Sequence, residues 1–575
     1  MTTNVLLQFI AFLVVVILLM LPLGHYMARV FKGERTWLRY IFEPIESVIY
    51  RLTGIRAAEQ QTWSQYASAM IVFNALGAAV LFLILMHQDL LPWNPESRAG
   101  LSWDLAFNIA VSFVTNTNWQ SYSGEVALSY FSQMLGITVQ NFLAAATGLA
   151  VAIAVIRGFT QRECRGIGNF YVDVTRATLY ILLPLAFIFA LFLIAQGVPD
   201  TLQSYVQVTT LEGAQQTIAQ GTVASQNAIK ILGSNGGGFF NANAAHPYEN
   251  PTPLSNFVQL ISILLLPLSL IMAFGIMAGD RRQGVALMAS MSLLFLILLA
   301  LCYGAELSGN SILVGLGVDL NMTDLNLGGN MEGKEVRFGI FNSALWTVLT
   351  SATSNGSVIA MHDSLMPLGG FVPLFNMMLG EVIFGGIGCG LYGILIYVLI
   401  TVFIAGLMIG RTPEYLGKKI EAYEIKLAII AQLLYPALIL GFGVVALLLP
   451  QSAKALNTTG PHGLTQMIYA YASAAANNGS AFAGINANSL YHNIALGIVM
   501  LIGRFGVIIP VLAIAGSLSC KKTTPASTGT FPTHGIMFVA LLCATILMFD
   551  GLTYFPVMAL GPIAEHLSIA TMIAP

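Results

Sequence analysis

Apolar residues in this chain fall into long, nearly unbroken runs, without the alternation of strands or the three-and-four spacing of surface helices. A helix needs about 20 largely apolar residues to cross a bilayer. Ten stretches reach that length, at 4–24, 64–88, 129–156, 170–196, 254–278, 284–306, 371–409, 426–449, 488–517 and 535–558. The seventh is too long for one straight helix. It carries Gly385, Gly386, Gly388 and Gly390, and is expected to be broken there. The pattern predicts an all-α integral membrane protein of about ten transmembrane helices.

Four of the polar connections share an element. A semi-apolar segment too short to span the membrane (104–114, 223–232, 339–351, 464–475) runs straight into small polar residues. These read Thr115-Asn116-Thr117-Asn118, Gly233-Ser234-Asn235-Gly236, Thr353-Ser354-Asn355-Gly356 and Ala476-Asn477-Asn478-Gly479. Their last residues are spaced by 118, 120 and 123 positions. So steady a period points to internal duplication. The expected unit is helix, re-entrant pore helix, filter loop, helix, four times over in pseudo-fourfold arrangement, with one extra helix at each end. This divides the chain into an N-terminal helix with a basic loop (1–62), repeats at 63–157, 158–279, 280–411 and 412–520, and a C-terminal helix (521–575).

Composition agrees with the membrane reading: 56% of the residues are apolar and 9% charged, where soluble domains carry about 25% charged residues. The net charge of −2 says less than its distribution. Seventeen Lys and Arg fall in one set of connections and five in the other. The positive-inside rule then puts the basic set in the cytoplasm and both termini outside. Met1 to Val5 carry no basic residue and lead directly into an apolar run, which argues against a cleaved signal peptide. The five cysteines are scattered and show no disulfide or metal spacing.

Irregular backbone at membrane depth survives only if buried in protein or lining a water-filled path. Small residues let four loops crowd one axis, and glycine permits carbonyls to turn toward it. A ring of carbonyl oxygens can replace the hydration shell of a cation, and the C-terminal ends of four half helices add partial negative charge. No carboxylate stands in the four runs, so a monovalent ion is favoured over a divalent one. Potassium, with its low dehydration cost, is the expected ion. Arg504, deep in the ninth span, reads as a barrier charge or a structural partner for a buried acid. Glu381 reads as an attracting anion, a partner for Arg504 or a cap on a broken helix. Gly385, Gly386 and Gly388 read as a gating loop or as close helix packing.

Two motifs mislead. Residues 328–334 spell GxxxxGK, but Glu335 follows where a P-loop needs Ser or Thr. Thr528-Gly529-Thr530 matches part of a P-type phosphorylation motif but lacks the preceding Asp and Lys. No nucleotide site is visible, so any ATP is hydrolysed elsewhere. The histidines lack metal-ligand spacing and read as polar loop residues.

Longer runs identify a family. Thr115-Asn116-Thr117-Asn118-Trp119-Gln120, Gly233-Ser234-Asn235-Gly236-Gly237-Gly238 and Ser354-Asn355-Gly356 resemble the potassium-binding A subunits of bacterial Kdp transporters. So do Gly380-Glu381-Val382-Ile383-Phe384-Gly385-Gly386 and Gly410-Arg411-Thr412-Pro413-Glu414-Tyr415-Leu416-Gly417. The resemblance covers essentially the whole chain and implies the superfamily of potassium transporters built from four fused channel-like repeats. It implies a non-catalytic subunit in the bacterial inner membrane, working with a P-type ATPase B subunit, a C subunit and a small single-helix subunit to import potassium at the expense of ATP. It also implies that Gln120, Gly236, Gly356 and Gly479 are filter positions. Arg504 would be the positive charge beneath them, and Glu381 would stand near the entrance of a lateral tunnel toward the ATPase subunit. A stand-alone channel or an ion-coupled symporter of the same superfamily is the alternative. A purely structural scaffold would leave the four polar loops unexplained.

Overall fold

A helix satisfies its own backbone hydrogen bonds where water is absent, and the long apolar runs are helical, the seventh with a break, in the computed structural model, which describes residues 3–323, 326–525 and 530–571. Among the described residues ten helices are long and apolar enough to cross a membrane: Thr3–Lys32, Trp63–Met86, Ser132–Thr160, Phe170–Ala195, Pro253–Met277, Arg281–Gly315, Cys389–Met408, Ala422–Leu448, Leu490–Ser519 and Ile536–Ile569. The protein is a multi-pass membrane protein. The compared segment 526–529 lies outside the described residues.

The four short segments are half helices, Trp103–Val114, Val223–Leu232, Gly339–Ala352 and Gly460–Ala475. Each stands between an even-numbered span and the odd-numbered span after it, so all four enter from one face of the bundle. The basic connections occupy the other face. The odd-numbered spans from the third to the ninth follow the polar loops and are called the inner spans below.

The seventh run breaks earlier than its glycines suggest. Pro367–Met378 is one helix, residues 379–388 are irregular, and Cys389–Met408 makes the crossing. Gly390 lies inside that crossing helix and unwinds nothing. A Cβ there would stand 1.8 Å from the Phe384 carbonyl oxygen, so glycine serves the close return of the chain. Two non-glycine residues, Glu381 (φ 55°) and Phe384 (φ 64°), take left-handed conformations in the break. Such backbone persists only where its surroundings fix it.

The first span packs along the fifth, where Gly24 admits the Ser269 carbonyl and the Met272 Cβ. The tenth is tied to the seventh and eighth by a buried cluster: the Tyr397 hydroxyl donates to Asp550, and Gln432 Nε2 donates to Asp550 Oδ1 at 3.1 Å. It continues past the predicted end at 558, through a kink at Gly561. An amphipathic helix on the basic face, Arg39–Thr53, had no counterpart in the hydropathy pattern. It is held by Glu46, which accepts from Arg176 at 3.0 Å and from the Tyr180 hydroxyl at 2.6 Å.

Candidate ion-binding site

Each half helix ends in the same way. The second residue of each polar run, Asn116, Ser234, Ser354 or Asn477, takes a left-handed conformation with φ between 47° and 64°. The next N–H then reaches back five residues into the half helix. Thr117 bonds the Ser112 carbonyl at 2.9 Å, Asn235 that of Lys230 at 2.9 Å, Asn355 that of Thr350 at 3.1 Å, and Asn478 that of Ser473 at 2.9 Å. This is the Schellman stop of a helix, built here without glycine at its left-handed position. Asn tolerates that conformation, and the stop turns four helix C-termini, with their partial negative charge, toward a shared centre.

The centre is a ring closed by the loops themselves. Asn116 Nδ2 donates to the Ser234 carbonyl at 2.7 Å, and Asn235 Nδ2 donates to Asn116 Oδ1 at 2.6 Å. Asn355 Nδ2 reaches the Ile231 carbonyl at 3.3 Å, and Asn478 Nδ2 the Thr350 carbonyl at 2.9 Å. Asn477 Nδ2 donates to Thr117 Oγ1 at 2.9 Å, which joins the fourth loop to the first. Thr115 is turned inward on its own run, its hydroxyl 2.8 Å from that of Thr117.

Glycine is required where neighbouring backbones meet. A Cβ on Gly356 would lie 2.1 Å from the Asn478 carbonyl oxygen, one on Gly479 1.8 Å from that of Thr117, and one on Gly236 2.7 Å from that of Asn355. Gly237 approaches the Asn118 carbonyl oxygen in the same way, at 2.9 Å. The sequence-predicted residues of all four runs therefore come together.

A departure from fourfold symmetry in the backbone lies at Gly236. Asn118, Gly356 and Gly479 all have positive φ, whereas Gly236 does not. The Gly236 carbonyl instead accepts from Asn243 Nδ2 at 2.5 Å. Asn243 Oδ1 in turn accepts from Lys230 at 2.8 Å, and the Lys230 ammonium is paired with Glu249. Sequence reasoning missed Asn243 and Glu249, for they lie past the polar run and no spacing marks them.

On the half-helix face the ring opens into a cavity of about 720 Å³ whose lining includes Asn118, Gln120, Gly356 and Gly479. Gln120 clamps the second loop: its Nε2 donates to the Gly238 carbonyl at 3.0 Å, and its Oε1 accepts from the Gly238 N–H at 3.2 Å. Lys334, last residue of the GxxxxGK match, is committed to Glu306 at 2.7 Å. Two of the histidines expected in polar loops are buried instead, His362 against the Tyr469 hydroxyl and His492 against Ser452, where short polar partners satisfy them.

On the opposite side, the broken stretch 379–388 lies directly against the ring. Glu381 is buried; it accepts from the Ser354 hydroxyl, and from Asn478 Nδ2 at 2.6 Å. It forms no ion pair with Arg504, so that alternative is set aside. The Gly385 N–H bonds the Ala352 carbonyl at 2.9 Å, and a Cβ on Gly386 would stand 2.7 Å from that of Ser354. Further from the cavity, Gly388 (φ 96°) meets Gly148 backbone to backbone. Arg504, buried in the ninth span, reaches the same contact, with Nη2 3.1 Å from where a Gly148 Cβ would be. Glycine thus serves close approach at 386, and both close approach and a left-handed turn at 385 and 388.

This arrangement can take a small cation from an open mouth into an oxygen-rich ring, with a buried carboxyl group beside two of its four loops and packed backbone beneath it. A solved structure with the same fold is the potassium transporter TrkH from Vibrio parahaemolyticus, at TM-score 0.52 and 13% identity over 85% of this chain and 97% of that one. Among curated proteins, the chain is 58% identical to a potassium-transporting ATPase potassium-binding subunit from Rhodospirillum centenum, with 99% of this chain and 98% of the relative covered. It is 57% identical to the protein of the same name from Methylorubrum extorquens, with 98% of each covered. The family model described as potassium-transporting ATPase A subunit matches residues 10–567, and the chain belongs to that family.

Proposed function

We propose that this chain is the potassium-binding and translocating subunit of an ATP-driven import complex in a bacterial inner membrane. Potassium enters through the cavity from outside the cell, loses water to the carbonyls of the ring, and passes beside Glu381 to a P-type ATPase partner, which hydrolyses the ATP. A C subunit and a small single-helix subunit complete the complex. The filter residues are those of the four runs with Gln120 and Gly237. Each repeat contributes one loop, within the boundaries that the period of the sequence suggests.

The observation that carries this reading is the placement of the Glu381 carboxyl group against the ring. Glu381 is bonded to the third and fourth loops only, so the attraction for a cation leaving the ring is directed to one side. Arg504 and the Gly148–Gly388 contact lie further along the straight route. The names of the relatives supply the ion and the kind of partner. The excess of basic residues on the other face supports both termini outside.

Co-purification with the ATPase partner, followed by a potassium-stimulated ATPase assay, tests the proposal. Gln120→Arg removes the acceptor for the Gly238 N–H and sets a cation at the mouth, so half-saturation by potassium should rise strongly. Unchanged half-saturation would remove the first loop from the ion path. Passive potassium current from the purified chain alone would favour a channel instead.

A further inference from the structure

The motif Gly410-Arg411-Thr412-Pro413-Glu414-Tyr415-Leu416-Gly417 helps identify the family, yet the ring has no use for it. It lies on the basic face and folds into a two-residue hairpin. Glu414 pairs with Lys419 and Tyr415 with Lys418, and Leu416 (φ 51°) and Gly417 (φ 73°) form the turn. Both central residues are left-handed, the conformation that matches the twist of short hairpins. A loop hairpin at a membrane surface is expected to be exposed on one side, but Tyr415 and Lys418 are each 1% exposed.

These two side chains enter the ends of the inner spans. The Lys418 ammonium donates to the Gly158 carbonyl at 2.8 Å, to the Leu518 carbonyl at 2.8 Å and to the Gln161 carbonyl. Gly158 and Leu518 belong to the last turns of the third and ninth spans, and Gln161 directly follows the third. All three donors of the ammonium are thus used, at helix ends whose dipoles favour a cation. Tyr415 packs edge-on against Phe159, also in the third span, with ring centroids 5.8 Å apart. The hairpin itself continues from the seventh span, and Pro413 packs on Gly406 near the end of that helix. The hairpin therefore meets the ends of the third, seventh and ninth inner spans. Above it the third and ninth spans are in close contact, a Cβ on Gly158 falling 2.5 Å from that of Ala515.

We propose that hairpin 414–419 is a fixed plug in the cytoplasmic end of the inner-span bundle, with the Lys418 ammonium as a tethered cation barring the straight exit. The inference rests on reading the ring as a potassium path. Lys418 occupies a cage of backbone carbonyls, the donor type that would otherwise receive a dehydrated monovalent ion. A permeating cation meets a fixed positive charge that cannot be displaced without breaking three hydrogen bonds. The plug is separate from the Arg504 barrier and acts at the far end of the same route, so that ions can leave only sideways.

The test uses the assembled complex in liposomes and compares the wild type with Lys418→Met and Tyr415→Ala. Two quantities are read: rubidium flux without ATP, and potassium-stimulated ATPase activity. The plug predicts that either substitution raises ATP-independent flux by about tenfold or more, while potassium half-saturation of the ATPase stays at the wild-type value. Wild-type flux in both assembled variants would overturn it, since a merely structural staple would lower thermal stability without opening a leak. A wild-type complex whose ATPase ignores potassium would overturn the reading of the ring and the plug with it. Should neither variant assemble, hydrogen exchange in the wild-type complex during turnover decides. The plug requires slow exchange at the Ile420 and Thr524 amides, which bond Pro413 and Gly417, and exchange at the rate of an exposed loop would overturn it.

Discussion

Asn478 Nδ2 stands 2.6 Å from Glu381 Oε1 and also donates to the Thr350 carbonyl at 2.9 Å. One side chain thus joins the fourth loop, the third half helix and the carboxylate beneath the ring. This link couples the shape of the ring to the position of the Glu381 carboxyl group.

Glu381→Gln preserves the size of the side chain and removes its charge. Potassium half-saturation of the assembled complex is expected to rise roughly tenfold, about 1.4 kcal/mol of lost attraction. A potassium titration of ATPase activity checks this, and an unchanged curve would take Glu381 out of the ion route.

Asn116→Ala removes the donor to the Ser234 carbonyl and the acceptor for Asn235. Buried groups left without partners cost about 1–3 kcal/mol. The variant should show a lower thermal midpoint in detergent and weaker preference for potassium over sodium in the ATPase assay. Stability lost with full selectivity would mean that the first and second loops need not be stitched.

Gly388→Ala forces a left-handed alanine whose Cβ falls 2.2 Å from the Gly148 carbonyl oxygen. The cost should be about 3 kcal/mol or loss of assembly. Gly304→Ala is the matched control, for nothing lies within 4 Å of its Cβ position in the sixth span. It should be neutral or stabilising by up to about 1 kcal/mol. Thermal midpoints of the two variants measure the contrast.

His462 begins the fourth half helix and bridges two carboxylates, with Asp363 at 3.0 Å and Glu565 at 2.9 Å. The hydrogen bond to Asp363 first, and that to Glu565 second, raise its pKa from 6.5 to about 10. A raised basic pKa stabilises the folded chain fully below 6.5, and that contribution is lost as the pH climbs through about 10. His462→Ala should therefore lower the thermal midpoint clearly at pH 6.5 and much less above pH 10. Equal losses at both values would contradict the bridge.

Hydropathy placed the ten crossings and the period placed the half helices, because burial in lipid and helix length act locally. The limits of Trp103–Val114 and Val223–Leu232 were legible to within a residue, since small polar residues follow at once. What joins the loops was not legible. Asn235, Asn355 and Asn478 stand in the runs with nothing to mark their partners, and only the closed ring shows each reaching the repeat before it. Asn118 stands where the other three runs carry glycine, yet it takes the same left-handed backbone as Gly356 and Gly479. The departure lies at Gly236, whose carbonyl is held by a residue beyond the polar run. The break in the seventh run was placed on its glycines, whereas Glu381 and Phe384 bend the chain earlier, with Glu381 held in place by Ser354 and Asn478. The hairpin 414–419 gave no hydropathy signal, because its buried pair is a tyrosine and a lysine.

If loops from four repeats of one chain form a single monovalent cation site, anomalous scattering from crystals of the complex grown in rubidium or thallium will locate it. Peaks are expected on the axis bounded by the backbone oxygens of residues 115–118, 233–236, 353–356 and 476–479. Strong ion peaks elsewhere in the chain, with none inside that ring, would contradict a shared site.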